Sequence, residues 1–186
     1  SGVADLVLSR EADIGIGEVS VAKQNDRLKV EVVGEHEIVL FHRKGHPLSG
    51  KKQVSTAAIN KFDLALMKLP GRLAQRFPGR GSVDPRTGYK IPAVEVADFA
   101  IARNVVLESD SVSASMILQI ATQLESGDFE VLPFRAPWLK TNYGFIYRRD
   151  RMLSPAAKAF MGHVRHVELD VAAQNHALMM RYMGRE

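Results

Sequence analysis

The feature that most constrains this chain is a pair of matching segments far apart in sequence. Glu37-Ile-Val-Leu-Phe-His-Arg-Lys-Gly-His-Pro-Leu48 and Tyr143-Gly-Phe-Ile-Tyr-Arg-Arg-Asp-Arg-Met-Leu-Ser-Pro155 are each an apolar strand that ends in a basic, polar turn. A third strand, Ala12-Asp-Ile-Gly-Ile-Gly17, lies upstream of both. A chain that leaves one subdomain through a strand, folds a second and returns through a strand builds two lobes with a double hinge. Ligands favour the cleft between such lobes. The layout predicts a small-molecule sensor rather than a catalyst.

Periodicity supplies the other elements. Val3, Leu6 and Val7 fall at helical spacing, and Leu28–Val33 alternates as a half-buried strand. Phe62–Leu69 reads as a buried strand and Arg72–Phe77 as a short helix. Residues 78–89, rich in Pro, Gly and charge, read as a long exposed loop. Ile91–Val96 is predicted as a strand, and Asp98 caps a helix with Phe99, Ala102, Val105 and Val106 on its inner side. Ser111–Ser115 is a short strand. A helix carrying Ile117, Ile120, Ala121 and Leu124 ends at Gly127. Phe129–Phe134 and Asn142–Tyr147 are strands, and Ser154-Pro155 starts a helix. A last amphipathic stretch, 169–183, begins at Asp170. The alternation of strands and helices predicts an α/β class. The first lobe is expected to comprise residues 1–41 and 148–168, the second 42–147, with 169–186 a C-terminal helical extension.

At 186 residues, 46% of them hydrophobic, the chain can bury a real core. No apolar run reaches about 18 residues, and the N-terminus has no signal pattern, so no membrane segment is expected. With no cysteine, disulfides and thiolate chemistry are excluded, which fits a cytoplasmic setting. A net charge of +4 permits an anionic ligand but is too dispersed to predict nucleic-acid binding by this segment.

With this order of elements in place, the chain resembles the effector-binding domain of LysR-type transcriptional regulators. The resemblance covers most of residues 1–167. It rests on Leu6–Gly17, Glu37–Leu48, Ser126-Gly-Asp-Phe-Glu-Val-Leu-Pro133, and Ile146–Arg149 running into Leu153–Phe160. It implies a two-lobe, type 2 periplasmic-binding-protein-like fold that senses a small organic anion in the interlobe cleft, without catalysis, metal or cofactor. It also implies a homo-oligomer, dimer or tetramer, that reaches DNA only through a helix-turn-helix domain absent from this chain. Two departures stand out. Against the family's pattern, the chain is expected to begin inside the first lobe, without that lobe's opening strand, helix and second strand, and so to carry that lobe incomplete. The family's Gly-rich turn in lobe two is here Glu108-Ser109-Asp110-Ser111.

Several segments are candidate ligand contacts. Leu69-Pro70-Gly71-Arg72 sits between a strand and a helix start. Backbone N–H groups at a helix start favour an anion, Gly71 after Pro70 lets a ligand approach the backbone closely, and Arg72 offers two parallel hydrogen bonds to a carboxylate. A routine turn with a solvated Arg explains the same residues. Glu18 and Ser20 would line the first lobe's rim, or form an ordinary surface turn. Phe41 and His42 at the outgoing hinge, and Ile146 at the return, would floor the cleft or simply pack. Capping accounts for Asp98, which leaves Phe99 as the contact of that pair. Ser1 is either a contact or a helix cap.

Other motifs carry less. Gly45-His-Pro-Leu-Ser-Gly-Lys51 matches most of a phosphate-binding loop, but Lys52 replaces the Ser or Thr that holds magnesium. His163 and His166 lie three apart with no third ligand at a regular spacing. Arg72, Arg76, Arg80, Arg86 and Lys90 are balanced only by Asp84 and read as a solvated loop. The alternative to a regulator is a periplasmic solute-binding protein, which shares the two-lobe logic. A phosphoryl-transfer enzyme using Gly45–Lys51 is a further rival.

Overall fold

A computed structural model of the chain describes residues 2–184 except Val21, Lys68, Pro70 and residues 87–89, and gives only the backbone of Gly71 and Arg72. Helix α1 (Val3–Leu8) opens with the Gly2 N–H donating to the Asp5 carboxylate at 2.9 Å. It lies on strand β1 (Ile14–Glu18) because Gly15 leaves a space for Val3: a Cβ there would stand 2.2 Å from Val3 Cγ1. Strand β2 (Leu28–Glu37) is longer than its alternation predicts, and strand β3 (Val39–Arg43) follows. Helix α2 (Thr56–Ile59) is capped by the Ser55 hydroxyl, which accepts the Ala58 N–H at 3.2 Å.

The expected strand over residues 62–69 shortens to β4 (Ala65–Leu66), flanked by single bridges from Asp63 to Arg80 and from Leu64 to Val112. Helix α3 (Gly71–Ala74) comes next. The stretch read as an exposed loop is not one throughout. It contains strand β5 (Gly81–Val83), which pairs antiparallel with strand β6 (Lys90–Pro92). Lys90 holds this ribbon down: its ammonium donates to the carbonyls of Phe77 and Gly79, each at 2.7 Å. Gly81 allows the close pairing, since a Cβ there would lie 2.1 Å from the Ile91 carbonyl oxygen.

Strand β7 (Val94–Glu95) and helix α4 (Phe99–Leu107) follow, with the Asp98 carboxylate capping Ile101 N–H at 3.0 Å as expected. Strand β8 (Ser113–Ser115) leads through a 3-10 turn into helix α5 (Ala121–Ser126). That helix ends at Gly127, whose φ of 77° is the left-handed cap predicted from glycine. After strands β9 (Phe129–Val131) and β10 (Lys140–Arg148), helix α6 (Pro155–Met183) starts where Ser154 Oγ accepts the Ala157 N–H at 3.1 Å. It is one helix rather than two. No Gly or Pro lies between Gly162 and Gly184, so Asp170 is passed through and does not cap a new start.

The chain divides into two compact units. The first takes the residues up to His36 and Lys140–His176; the second takes Glu37–Leu139 and the residues from Ala177 on. The crossings fall at 36/37, at the last residue of β2, at 139/140, just before β10, and at 176/177 within α6, where the sequence suggested 41/42 and 147/148.

In the first unit the sheet order is β1-β10-β2, with β1 antiparallel to β10 from Ile14 opposite Tyr147 to Glu18 opposite Tyr143. In the second, β3 runs between β8 and β9, antiparallel to both, and β4 pairs in parallel with β7. Strand β3 serves two cores by the two-residue alternation of a strand. Leu40 joins Ile59, Leu64, Leu132 and Leu139 in one, while Val39 and Phe41 join Val106, Ile117 and Phe129 in the other. Each such fully buried side chain stabilises the unit by about 1.5–3 kcal/mol.

Candidate functional site

In the first unit, Glu18 ends β1 and the chain turns at once. The Ser20 N–H donates to the Glu18 carboxylate at 3.1 Å, and the Ser20 hydroxyl lies 2.5 and 2.6 Å from its two oxygens. Val19, buried between them, donates its N–H to the Asn142 carbonyl at 3.2 Å and so pins the turn to β10. The two expected residues are brought together, half-buried. Ile146 lies in the core of this unit with Val7, Val19 and Leu28, and is 1% exposed.

The second unit joins two further expected residues. The Phe41 and Phe99 rings meet edge-on, 6.2 Å apart, and Phe41 also lies 4.9 Å from Phe129. Phe41 is fully buried; Phe99 is half-buried, with the Arg103 guanidinium over its ring at 5.5 Å. Phe99 is the more accessible of the two rings. His42 is buried, donates from Nδ1 to the Arg43 carbonyl at 2.8 Å, and stacks on His46 at 4.6 Å. Burial pushes the His42 imidazole below its usual range, against the small upward pull of that carbonyl. Gly71 opens α3 as predicted for a helix start. Pro70, Ser1 and the side chain of Arg72 lie outside the described residues.

The turn at Gly45–Lys51 has no phosphate-binding geometry. The Ser49 N–H donates back to the His46 carbonyl at 2.8 Å, and the next helix begins only at Thr56. A phosphate loop needs free amides running straight into a helix. The basic stretch up to Lys90 is also locally engaged. Arg80 pairs with Asp63 at 2.6 Å, Arg86 lies 4.0 Å from Asp84, and Lys90 caps two carbonyls.

Two features were not foreseen. Arg43 pairs with Asp110 at 2.7 Å beside an open depression of about 370 Å³ lined by Arg43, Leu107, Glu108, Ser109 and Asp110. This is the acidic turn singled out in the sequence, and its partner lies too far along the chain for spacing to reveal. In the first unit, two tyrosine–carboxylate bonds and an ion pair tie β10, β2 and α6 together. The Tyr147 hydroxyl donates to Glu31 and the Tyr143 hydroxyl to Glu168, with Arg165 adding a 2.7 Å pair to Glu31. The Tyr147 hydroxyl, more than the Arg165 guanidinium, holds the Glu31 carboxyl below its usual range. Burial, then the facing carboxylate, pushes the Tyr143 hydroxyl up.

Comparison with known proteins places this geometry. The family described as LysR substrate binding domain matches residues 1–168. The SDS degradation transcriptional activation protein of a Pseudomonas species is 27% identical over 161 residues, 84% of this chain and 51% of that protein. The HTH-type transcriptional regulator GalR of Pseudomonas putida is 30% identical over 145 residues, 74% of this chain and 35% of that protein. The chain thus spans about half the length of the first of these relatives and less of the second. A mutant of Corynebacterium glutamicum OxyR superposes with a TM-score of 0.68 at 12% identity, covering 93% of this chain and 53% of that one. At that identity the likeness shows the fold, a type 2 periplasmic-binding-like α/β architecture, as the sequence predicted.

Proposed function

The chain belongs to the LysR substrate binding domain family, and from that premise we propose that it senses a small organic anion on behalf of a transcriptional regulator. The observation that carries this reading is the family match along residues 1–168, supported by relatives named as a transcriptional activation protein and an HTH-type regulator. These names favour a regulator over a solute-binding protein. The domain acts by binding alone: a ligand shifts a population of conformations only by the difference in its affinity for them. The protein works in the cytoplasm as a homo-oligomer, and its DNA contacts are made by a helix-turn-helix domain outside this chain. No helix of the described residues is long and apolar enough to cross a membrane.

Gly71 and Arg72 supply a close backbone approach and a cation for the carboxylate. Phe99 offers a half-buried aromatic face, and Glu18 and Ser20 offer polar contacts. Phe41, His42 and Ile146 are at most 1% exposed and act behind these groups, by fixing the surfaces that carry them. A thermal-shift screen of organic acids tests the reading. A ligand at ~100 times its dissociation constant adds about 2.7 kcal/mol of stability, and Arg72→Ala lowers the response to about half or less, as a loss of at least ~10-fold in affinity requires. An equal response in that variant removes Arg72 from the site.

A further inference from the structure

His46 is 2% exposed, and both of its ring nitrogens are engaged. Nδ1 lies 3.0 Å from the Leu48 N–H, which has only its hydrogen to offer, so Nδ1 accepts and carries no proton. Nε2 therefore holds the proton and donates it to the Asp110 carbonyl at 3.1 Å. The ring is fixed as one neutral tautomer, stacked on His42 at 4.6 Å and packed on Phe62 at 4.4 Å. It is the clasp between two segments distant in sequence: the turn after β3, which ends in the buried Leu48, and the loop between α4 and β8, which carries Asp110.

We propose that His46 is a proton-operated latch, whose second proton releases the Leu48 amide from the ring and opens the 44–50 turn. A proton can enter only at Nδ1, where it points at the Leu48 N–H. Two donors then face each other, so the turn has to move away for the charged ring to exist. The charged groups around the ring pull in both directions. Asp110 and Glu130 favour the imidazolium, while Arg43 and a protonated His42 oppose it; burial opposes it more than either. Burial pushes the ring below the usual histidine range, so the latch is closed at neutral pH and opens on the acid side. Nε2 keeps its proton throughout and still donates to the Asp110 carbonyl, so the 107–111 loop and its Arg43–Asp110 pair stay with the ring while the Leu48 side of the turn opens.

The test is NMR on the full chain, combining the imidazole nitrogen shifts of His46 with amide hydrogen exchange across pH. The expected result is an unprotonated Nδ1 at neutral pH. Below about pH 6.5, protection of the Leu48 amide falls about tenfold per pH unit, since opening is linked to uptake of one proton. The amides of Phe41 and Leu124 keep their protection over the same range. His46→Gln removes the Leu48 step, while His42→Asn leaves it in place. A proton on Nδ1 at neutral pH, a flat Leu48 profile, or a loss shared equally by Phe41 and Leu124 overturns the latch, and each of these is read on the unmodified protein.

Discussion

The Tyr143 hydroxyl donates to the Glu168 carboxylate, and this bond joins the central strand of the first unit's sheet to helix α6. Gly34 makes room for it: a Cβ there would lie 2.3 Å from Glu168 Oε1 and 2.8 Å from the Tyr143 ring. His36 stacks on Tyr143 and brings its Nε2 within 3.0 Å of the same carboxylate, without an aligned hydrogen bond. The hydroxyl is therefore the aligned partner of this buried carboxylate. Tyr143→Phe leaves the carboxylate without it and should cost about 1.5–3 kcal/mol, the usual worth of a hydrogen bond to a charged group. Urea unfolding of the two proteins checks this, and equal midpoints would refute it.

Two glycines should respond in opposite directions to the same change. A Cβ at Gly144 would stand 2.1 Å from the Glu31 carbonyl oxygen, which is backbone and cannot swing aside. Gly144→Ala should therefore destabilise by at least ~1–3 kcal/mol, by forcing β10 from β2. Gly162 lies within α6 and has nothing within 4 Å of its would-be Cβ. Gly162→Ala should stabilise by roughly 0.5–1 kcal/mol, through the helix propensity it restores. Thermal melts of both variants read the signs.

Stability should decline on mild acidification. Burial lowers the folded-state pKa of both His42 and His46, so between about pH 6.5 and their folded values the unfolded chain binds more protons than the folded one. The contribution is fully present above pH 6.5 and is lost as pH falls below it, at up to about 1.4 kcal/mol per pH unit for each ring. Glu31, held low by the Tyr147 hydroxyl, adds a second loss further down, as pH falls from its unfolded value through its folded one. Urea midpoints at pH 8, 6 and 5 follow the first window, and equal midpoints at pH 8 and 5 would contradict it.

Phe41 and Phe99 touch, yet they should separate by function. Phe41 is sealed in the core with Phe129, so Phe41→Ala should cost about 3–5 kcal/mol. Phe99 is half-open, so Phe99→Ala should cost clearly less while weakening ligand binding. A variant pair with equal losses of stability would remove Phe99 from the proposed site.

The parts of this fold legible in the sequence are those governed by local chemistry. Asp98 caps α4, Gly127 ends α5 in a left-handed conformation, and Ser154 starts α6, because each acts within a few residues of itself. The order and spacing of Leu6–Gly17, Glu37–Leu48, Ser126–Pro133 and Ile146–Phe160 also pointed to the family. What stayed hidden depends on distant partners. Lys90 reads as an exposed charge until the Phe77 and Gly79 carbonyls are placed beneath it, and that anchor makes a strand pair out of an apparent loop. Asp170 looks like a helix cap only while the unbroken α6 around it is unseen. Of the candidate site, the meeting of Glu18 with Ser20 was predictable from two-residue spacing. The contact of Phe41 with Phe99, and that of Arg43 with Asp110, needed the fold.

The central claim is that this domain binds an organic anion through Arg72. The direct measurement is calorimetric titration of the chain with the strongest hit from an organic-acid thermal-shift panel, repeated on Arg72→Ala. The account predicts saturable binding by the unmodified chain and a loss of at least ~10-fold in affinity in the variant, the 1.4 kcal/mol or more expected of a charge-assisted carboxylate contact. Saturable binding with unchanged affinity in Arg72→Ala, or heat from uncharged analogues equal to that from the acids, would contradict it.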